Sequence, residues 1–471
     1  MNKKYLPHAV LAAAISSVSQ GVMAAAFYIS ETSTSGLGRA FAGENTIGDN
    51  AAILGRNPAG SALFDTYTFS IGATFVDPEI DVAGDVTYFV PVGVGPDGSP
   101  IFLANTERAR ANDYVTTAWV PNGYLAAPIN DEWSFGLALY SDFGLETDFP
   151  NSFRGTPIAN KTRLITVNIQ PSVAYDINNT LSIGASVNFL YADARLRTTV
   201  PTNFALDPIL GTDLSGASIL NIEGDDWDVS WTVGALWRIS ENTRAGISYH
   251  AEYDPKLKGN VNSDLLPSPL DPFDNASGNV TLDLPDTLEL GFYHRFNSKW
   301  AIALGYMWAD WDDLQRLEAF IPGAGETFNP LIIGELNFES GSRYSIGVEY
   351  FYNDKLTLRA GYAFDESAAR DGLNREETEM IAAQTGLQLP ITWRVLGIPD
   401  SDRQWLTLGA TYHVSEKLSI DGGVAYLSGD DERIQQFGTV PPAPIPVPTF
   451  FDGSTTKTEA WLYGVSLNYH F

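Results

Sequence analysis

In a chain without cysteine, chemistry falls to histidine, the carboxylates, the hydroxyls and the bases. Outside the first 24 residues the histidines are His250, His294, His413 and His470. Read with a period of two, His250 shares a face with Ser248 and Glu252, so a hydrolytic pair would have its residues at hand. A serine nucleophile on an elbow needs Gly-x-Ser-x-Gly and a zinc protease His-Glu-x-x-His, and the sequence contains neither. Packing is the preferred role for His250; a hydrolase centred on it is the alternative. Asp225-Asp226, Asp310-Trp311-Asp312-Asp313 and Asp430-Asp431-Glu432 offer hard oxygens for calcium. None has EF-hand spacing, so they read as solvated loop tips. Gly36-Leu37-Gly38 lacks the preceding strand and following lysine of a nucleotide loop. No cofactor and no metal are expected. Binding chemistry is left. Arg343, Arg359 and Asp365 fall on the polar phase of alternating runs, and a guanidinium in a low-dielectric site is the simplest holder of a carboxylate.

Those phases exist because most of the chain alternates. In 181–191, Leu181, Ile183, Ala185, Val187, Phe189 and Tyr191 oppose Ser182, Gly184, Ser186 and Asn188. In the last run Trp461, Tyr463, Val465, Leu467, Tyr469 and Phe471 oppose Leu462, Gly464, Ser466, Asn468 and His470. Six short polar turns separate such runs, at 129–132, 177–180, 239–242, 296–299, 352–355 and 414–417. Seven longer segments rich in Gly, Pro and Asp lie between them: 83–113, 145–161, 199–225, 254–277, 312–336, 366–402 and 428–456. Six turns and seven loops connect fourteen strands. Short connections on one side and long ones on the other describe an outer-membrane barrel. A sandwich would not segregate loop length so strictly, and no four-strand repeat suggests a propeller. The expected fold is all-β: a fourteen-stranded antiparallel transmembrane barrel, apolar face to lipid and small or polar face to a filled or wet lumen.

Composition permits this. The 471 residues are 44% hydrophobic, with 21 Tyr and 11 Trp for aromatic girdles. No run beyond the N-terminus reaches the ~18 apolar residues of a membrane helix, and alternating strands average out to the mean hydropathy of −0.08. Residues 1–24 read as an export leader: Lys3 and Lys4, an apolar stretch over Leu6–Val18, and Val22-Met23-Ala24 for cleavage. The lack of cysteine suits an oxidising periplasm, and a formal charge of −29 argues against nucleic acid. Residues 33–59 hold five glycines and no alternation. Placed before a closed barrel, such a segment could fold back and fill the lumen, with Arg39, Glu44, Asp49 and Arg56 suited to a polar interior. The expected division is leader 1–24, hatch 25–65 and barrel 66–471.

Thr34–Ala40, Gly43-Glu44 and Arg56-Asn57-Pro58-Ala59 resemble the N-terminal hatch of FadL-type outer-membrane long-chain fatty acid transporters. The likeness continues through Val76-Asp77-Pro78, Ala118-Trp119-Val120-Pro121-Asn122, Ala127-Pro128-Ile129-Asn130, Ile398-Pro399-Asp400 and the last strand. It covers almost the whole chain. The resemblance implies passive, binding-driven uptake of long-chain fatty acids and no enzymatic activity. Uptake of monoaromatics or alkanes, as in relatives of the same superfamily, is the runner-up; a structural or phage-receptor barrel is a third reading.

The resemblance also implies a route. Segments 199–225 (Phe204, Leu206, Ile209, Leu210, Leu214, Ile219, Leu220, Ile222) and 254–277 (Leu257, Leu265, Leu266, Leu270, Phe273) are apolar enough to pack on each other or to form the family's capture groove. Ligand-binding candidates are Phe27, Leu196, Arg197, Ile222, Arg343, Arg359 and Asp365. The family's pocket arginine corresponds to Thr198 and its pocket lysine falls near Leu336, which leaves a carboxylate to Arg343 or, through a bulge, to Arg197. Asn57, Pro58 and Ala59 would seat the hatch. Asp142 and Gly144 in the third strand, expected over 133–149, would mark a kink that opens sideways into the bilayer. Expected partners are fatty acids or other hydrophobic small molecules, outer-membrane lipid and lipopolysaccharide, and the barrel-assembly machinery through Phe471. The chain is expected to act as a monomer.

Overall fold

The computed structural model describes residues 27–471 except 97, 203–212, 266–272, 274–275, 323–328 and 441–446. The expected leader, Ala25-Ala26, and the loop residues Phe204, Leu206, Ile209, Leu210, Leu266 and Leu270 lie outside the described residues.

Fourteen antiparallel strands close into one barrel. They are β1 (Thr68–Val94), β2 (Ala118–Pro128), β3 (Trp133–Tyr140 and Gly144–Asp148), β4 (Lys161–Asn178), β5 (Leu181–Thr199) and β6 (Ser218–Ser240). There follow β7 (Thr243–His250 and Lys256–Asn262), β8 (Ala276–Thr281 and Asp286–Arg295), β9 (Trp300–Asp310 and Arg316–Phe320) and β10 (Leu331–Glu335 and Gly341–Asn353). The last four are β11 (Leu356–Asp365), β12 (Arg403–His413), β13 (Leu418–Gly429) and β14 (Val447–His470). β14 returns to β1, pairing from His470 opposite Thr68 to Thr449 opposite Tyr88. Closure removes the edge strand that hydrocarbon would not tolerate.

Four of the six short turns share one device. Asn130, Asn178, Asn297 and Asn353 each accept, through the side-chain oxygen, the amides two and three residues on, for example Thr180 N at 2.8 Å and Leu181 N at 3.0 Å from Asn178 Oδ1. The amide side chain thus closes the hairpin locally.

The long segments contain more strand than their Gly, Pro and Asp content suggested. β1 runs on to Val94 and Pro100–Ala111 returns along it, with Ala111 opposite Val82 and a register shift between Pro91 and Gly93. Arg433–Val440 folds back on β14 in the same way. These arms project beyond the barrel wall, where a proline or glycine at an irregular position costs little pairing. Segment 366–402 holds a helix, α2, over Arg375–Thr385, capped by Asn374 Oδ1 on Glu377 N and ended by Gly386 at φ 75°. Ile80, Val86, Tyr88, Tyr114, Phe149, Phe153 and Phe451 bind the outer extensions into one apolar cluster.

On the outer surface Ile183, Val187, Phe189, Leu290, Leu406 and Leu408 are exposed. Aromatic pairs flank this belt: Trp133–Tyr175 and Trp300–Tyr350 near the short turns, Tyr191–Trp227 and Tyr426–Trp461 on the other side. An exposed apolar belt between aromatic rings is a lipid-facing surface.

Residues 27–64 run inside the ring and are buried almost throughout. A single helical turn, α1 (Thr34–Leu37), is capped by Ser33 Oγ on Gly36 N at 3.0 Å. Two 3-10 helices follow, Ala51–Gly55 and Pro58–Leu63, the second opened by Pro58 behind an extended Asn57 at φ −147°.

Candidate functional site

The inserted segment lies directly on wall backbone, and the wall allows it by carrying glycine at the contacts. A Cβ on Gly234 would stand 2.1 Å from Asn57 Oδ1, one on Gly184 2.4 Å from Ala59 N, and one on Gly291 2.0 Å from Asn45 Oδ1. On the far side, a Cβ on Gly361 would stand 2.2 Å from the Arg39 carbonyl carbon and one on Gly409 2.7 Å from Gly38 Cα. Asn57 Nδ2 donates to Ala235 O on β6 at 3.2 Å and to Asn45 O at 2.9 Å, while its Oδ1 accepts Ala59 N at 3.0 Å. Of the three expected seating residues, Asn57 therefore meets β6, and Pro58 and Ala59 meet β5.

Buried charges tie the segment to the wall. Arg39 bonds Glu44 (2.9 Å), Asp49 (2.7 Å) and Glu349 of β10 (3.0 Å). Arg359 of β11 bonds the same Glu349 (2.8 Å) and Asp49 (3.1 Å). Arg56 pairs with Glu289 of β8 at 2.9 Å and donates to Ser30 O at 3.0 Å. Arg343 pairs with Asp365 at 3.3 Å, donates to Ser30 Oγ at 2.6 Å, and lies over the rings of Trp405 (4.5 Å) and Phe41 (5.2 Å). Asp365 also accepts Trp405 Nε1 at 2.7 Å. Ala40 and Phe41, beside Arg343, are consecutive left-handed residues at φ 53° and 58°, a strained pair that this packing holds in place. His250, the hydrolase candidate, has its two ring nitrogens against Thr232 Oγ1 (3.1 Å) and Arg56 O (2.9 Å), and Ser248 Oγ lies by Asn45 Nδ2 at 3.3 Å. They help seat the segment. Among the described residues no group of acidic or histidine side chains could hold a metal.

The third strand is broken where Asp142 stands. Its ladder to β4 runs to Tyr140 opposite Asn168, omits Ser141–Phe143, and resumes at Gly144 opposite Ile165. On its other edge, pairing with β2 ends at Leu139 opposite Gly123, and contact returns only where Thr116 N donates to Glu146 O at 3.1 Å. The wall is thus unzipped between 118–122 and 140–145. From inside, Phe27–Ile29 cover this place: Ile29 N donates to Asp142 O at 2.6 Å and Gly144 N to Phe27 O at 2.9 Å. Asn168 Nδ2 holds the Asp142 carboxylate at 2.7 Å.

Outward of Phe27 lies an apolar cavity of about 750 Å³, part of it open to solvent. Phe27, Leu196 and Ile222 line it, together with Leu164, Leu257, Leu282, Leu314, Leu336 and Ile398. The charged candidates sit elsewhere. Arg343, Arg359 and Asp365 belong to the network around the inserted segment, not to this lining. Arg197 stays in the ladder opposite Lys161 and Asn221, because the only register shift nearby falls after Thr198, so its outward phase is not reversed. Two other bases, Arg163 and Arg195, do touch the cavity; Arg163 pairs with Asp193 and Arg195 Nε donates to Asn221 Oδ1 at 2.9 Å.

Sequence reasoning missed the glycine contacts, since a glycine in an alternating run says nothing of what lies against it. It also missed Glu31, fully buried near Arg343 and Arg56 with neither carboxylate oxygen hydrogen-bonded. Glu31 falls outside any alternating run, so no phase marked it. Trp311, which meets Phe27, Phe143 and Phe338 edge-on, had a detectable signal as a tryptophan within the Asp310–Asp313 stretch that was read as a solvated loop tip.

A family model described as outer membrane protein transport protein (OMPP1/FadL/TodX) matches residues 15–377 and 390–471. A Salmonella typhi protein named long-chain fatty acid transport protein is 32% identical over 487 residues, covering 100% of this chain and 99% of its own length. Haemophilus influenzae outer membrane protein P1 is 31% identical over 493 residues, covering 99% of this chain and 100% of its own. Among solved structures, a Pseudomonas aeruginosa FadL homologue superposes with a TM-score of 0.73 at 22% identity, over 95% of this chain and 100% of its own.

Proposed function

The chain belongs to the outer membrane protein transport family (OMPP1/FadL/TodX), and we propose that within it this protein takes up long-chain fatty acids. It is a transport protein of the outer membrane and not an enzyme, and its cargo is hydrophobic. The observation that carries the fatty acid reading is the apolar cavity of about 750 Å³ beside a wall that is unzipped at the third strand. An apolar lining with a few polar groups at its edge suits an acyl chain, and the name of the Salmonella relative supports the same cargo.

The route follows from energetics. Burying each CH₂ is worth ~0.8 kcal/mol, so a long chain loses most of its binding energy if it must leave the cavity for water. Residues 25–65 act as a plug that denies it an axial path. The chain enters from the apolar outer loops, rests in the cavity, and leaves sideways between 118–122 and 140–145 once Phe27–Ile29 move off Asp142 and Gly144. Phe471, packed edge-on against Tyr469 at 4.9 Å, serves as the assembly-machinery signal, and the exposed belt lies in outer-membrane lipid as a monomer.

Neutral hydrocarbons form the second reading, and one observation favours it. The bases that touch the cavity, Arg163 and Arg195, already have protein partners, and Arg343 and Arg359 are engaged with the inserted segment. Growth of a deletion strain carrying this gene on oleate, toluene or an alkane as sole carbon source separates the readings. Rescue on oleate is expected. Rescue only on toluene or alkanes would replace the fatty acid reading with the second.

A further inference from the structure

Near the inserted segment, wall glycines are explained by the atoms lying on them. A second row of glycines lies away from it. Leu164 of β4 pairs with Ala194 of β5, Ala194 with Gly224 of β6, Gly224 with Gly259 of β7, and Gly259 with Gly278 of β8. All five line the apolar cavity. Across five adjacent strands, in exact register, side chains shrink from leucine to alanine to three glycines. The three atoms nearest to a Cβ built on each of them belong to other parts of the chain than the inserted segment. Glycine inside a strand forfeits packing and weakens the ladder, so three side by side need a reason. Gly259 and Gly224 have one in the backbone itself, since a Cβ on Gly259 would lie 1.8 Å from Glu223 O and one on Gly224 3.0 Å from the Lys258 carbonyl carbon. Gly278 has none so strong: its Cβ would approach Phe320 O and Val261 Cγ2 at 3.1 Å, a tight contact rather than an overlap.

The row is walled on both sides. Leu196, Ile222 and Val261 form one in-register ridge two residues along the strands, and Leu257 opposite Val280 forms the other. Strand spacing makes the floor from Ala194 to Gly278 roughly 14 Å long, while each ridge is centred only about 7 Å from the floor line before side-chain width is subtracted. Phe27, Leu314 and Leu336 face it across the cavity. The space is a slot, longer than it is wide, running across the strands.

We propose that Gly224, Gly259 and Gly278 form the floor of a selectivity slot in which an unbranched saturated chain lies across β5 to β8, and that the ridges on either side exclude branched cargo. The slot deepens the uptake reading and rests on it. A methyl branch on the chain would need the height that the ridges and the facing side chains already occupy.

Binding of hexadecanoate and of a methyl-branched acid of equal chain length to the purified full-length protein tests this. Wild type should prefer the linear acid at least tenfold. Gly278→Ala should lower hexadecanoate affinity several-fold and Gly278→Val at least tenfold, with the linear preference lost and heat-modifiable barrel mobility retained in both. Unchanged affinity and preference in Gly278→Val overturns the slot while leaving uptake intact. Failure of wild type to bind either acid removes the uptake reading itself, and the slot with it.

Discussion

Gly234 and Asn57 meet with no room for another atom: a Cβ on the wall glycine would stand 2.1 Å from the asparagine Oδ1. The same asparagine donates to Ala235 O, one residue along. Seating of the N-terminal segment on β6 therefore depends on a glycine and an amide acting together. Gly234→Val should destabilise the folded protein and Asn57→Gly should relieve part of that loss. A double-mutant cycle in urea is expected to show coupling of roughly 0.5–3 kcal/mol. Strict additivity would mean that the contact contributes nothing. Replacing Asn57, Pro58 and Ala59 together by bulkier residues should impair uptake in a barrel that still assembles.

Gly144 lies under Ile29, whose Cδ1 would be 2.8 Å from a Cβ at that position. Gly144→Arg fills the unzipped region and displaces Phe27–Ile29. Uptake should fall to background while ligand binding at the outer loops and barrel assembly persist. Normal transport by this variant would place the exit elsewhere.

Arg343 braces rather than faces the cavity. Arg343→Ala leaves Asp365 buried without its ion pair, which costs about 3–5 kcal/mol when one partner of such a pair is removed. The affinities for hexadecanoate and hexadecanol should then fall together. A loss confined to the acid would show that Arg343 holds the carboxylate directly.

Helix α2 carries a pH-dependent cap outside the membrane. Burial, reinforced by the charge of Glu335, pushes Glu377 up to about 7, against the favourable bond from Asn374 Nδ2 at 3.1 Å. A folded pKa raised above the ordinary carboxylate value of about 4.3 contributes stability that is fully present below that value and is lost as pH rises towards 7. Amide protection factors over 375–385, taken relative to the intrinsic base-catalysed rate, should be higher at pH 4 than at pH 8, and Glu377→Gln should flatten the difference. Equal pH dependence in the variant would assign it to another group.

Strand number and phase were legible in the sequence because a barrel wall is a local object. Alternation in 181–191 and 461–471 and the Asn-closed turns depend on near neighbours, and the apolar phase must meet lipid whatever the rest of the chain does. The outer hairpins were not legible, because Gly84, Pro91 and Gly93 look like breakers until the arm that pairs with them is known. The break at Ser141–Phe143 is likewise set by what replaces the lost ladder, namely Phe27 and Ile29 from more than a hundred residues earlier.

The candidate site divides the same way. That Arg343, Arg359 and Asp365 point inward followed from phase alone. Whether they face cargo or the inserted segment was decided by where Ser30, Asp49 and Trp405 come to rest, and those are contacts between distant parts of the chain. The row from Leu164 to Gly278 is the extreme case. Its five residues come from five strands, each small residue unremarkable in its own run, and only the register between strands lines them up into a floor. Alternation is written along one strand; register is set by every pairing and closure around the ring, so it exists only in the folded barrel.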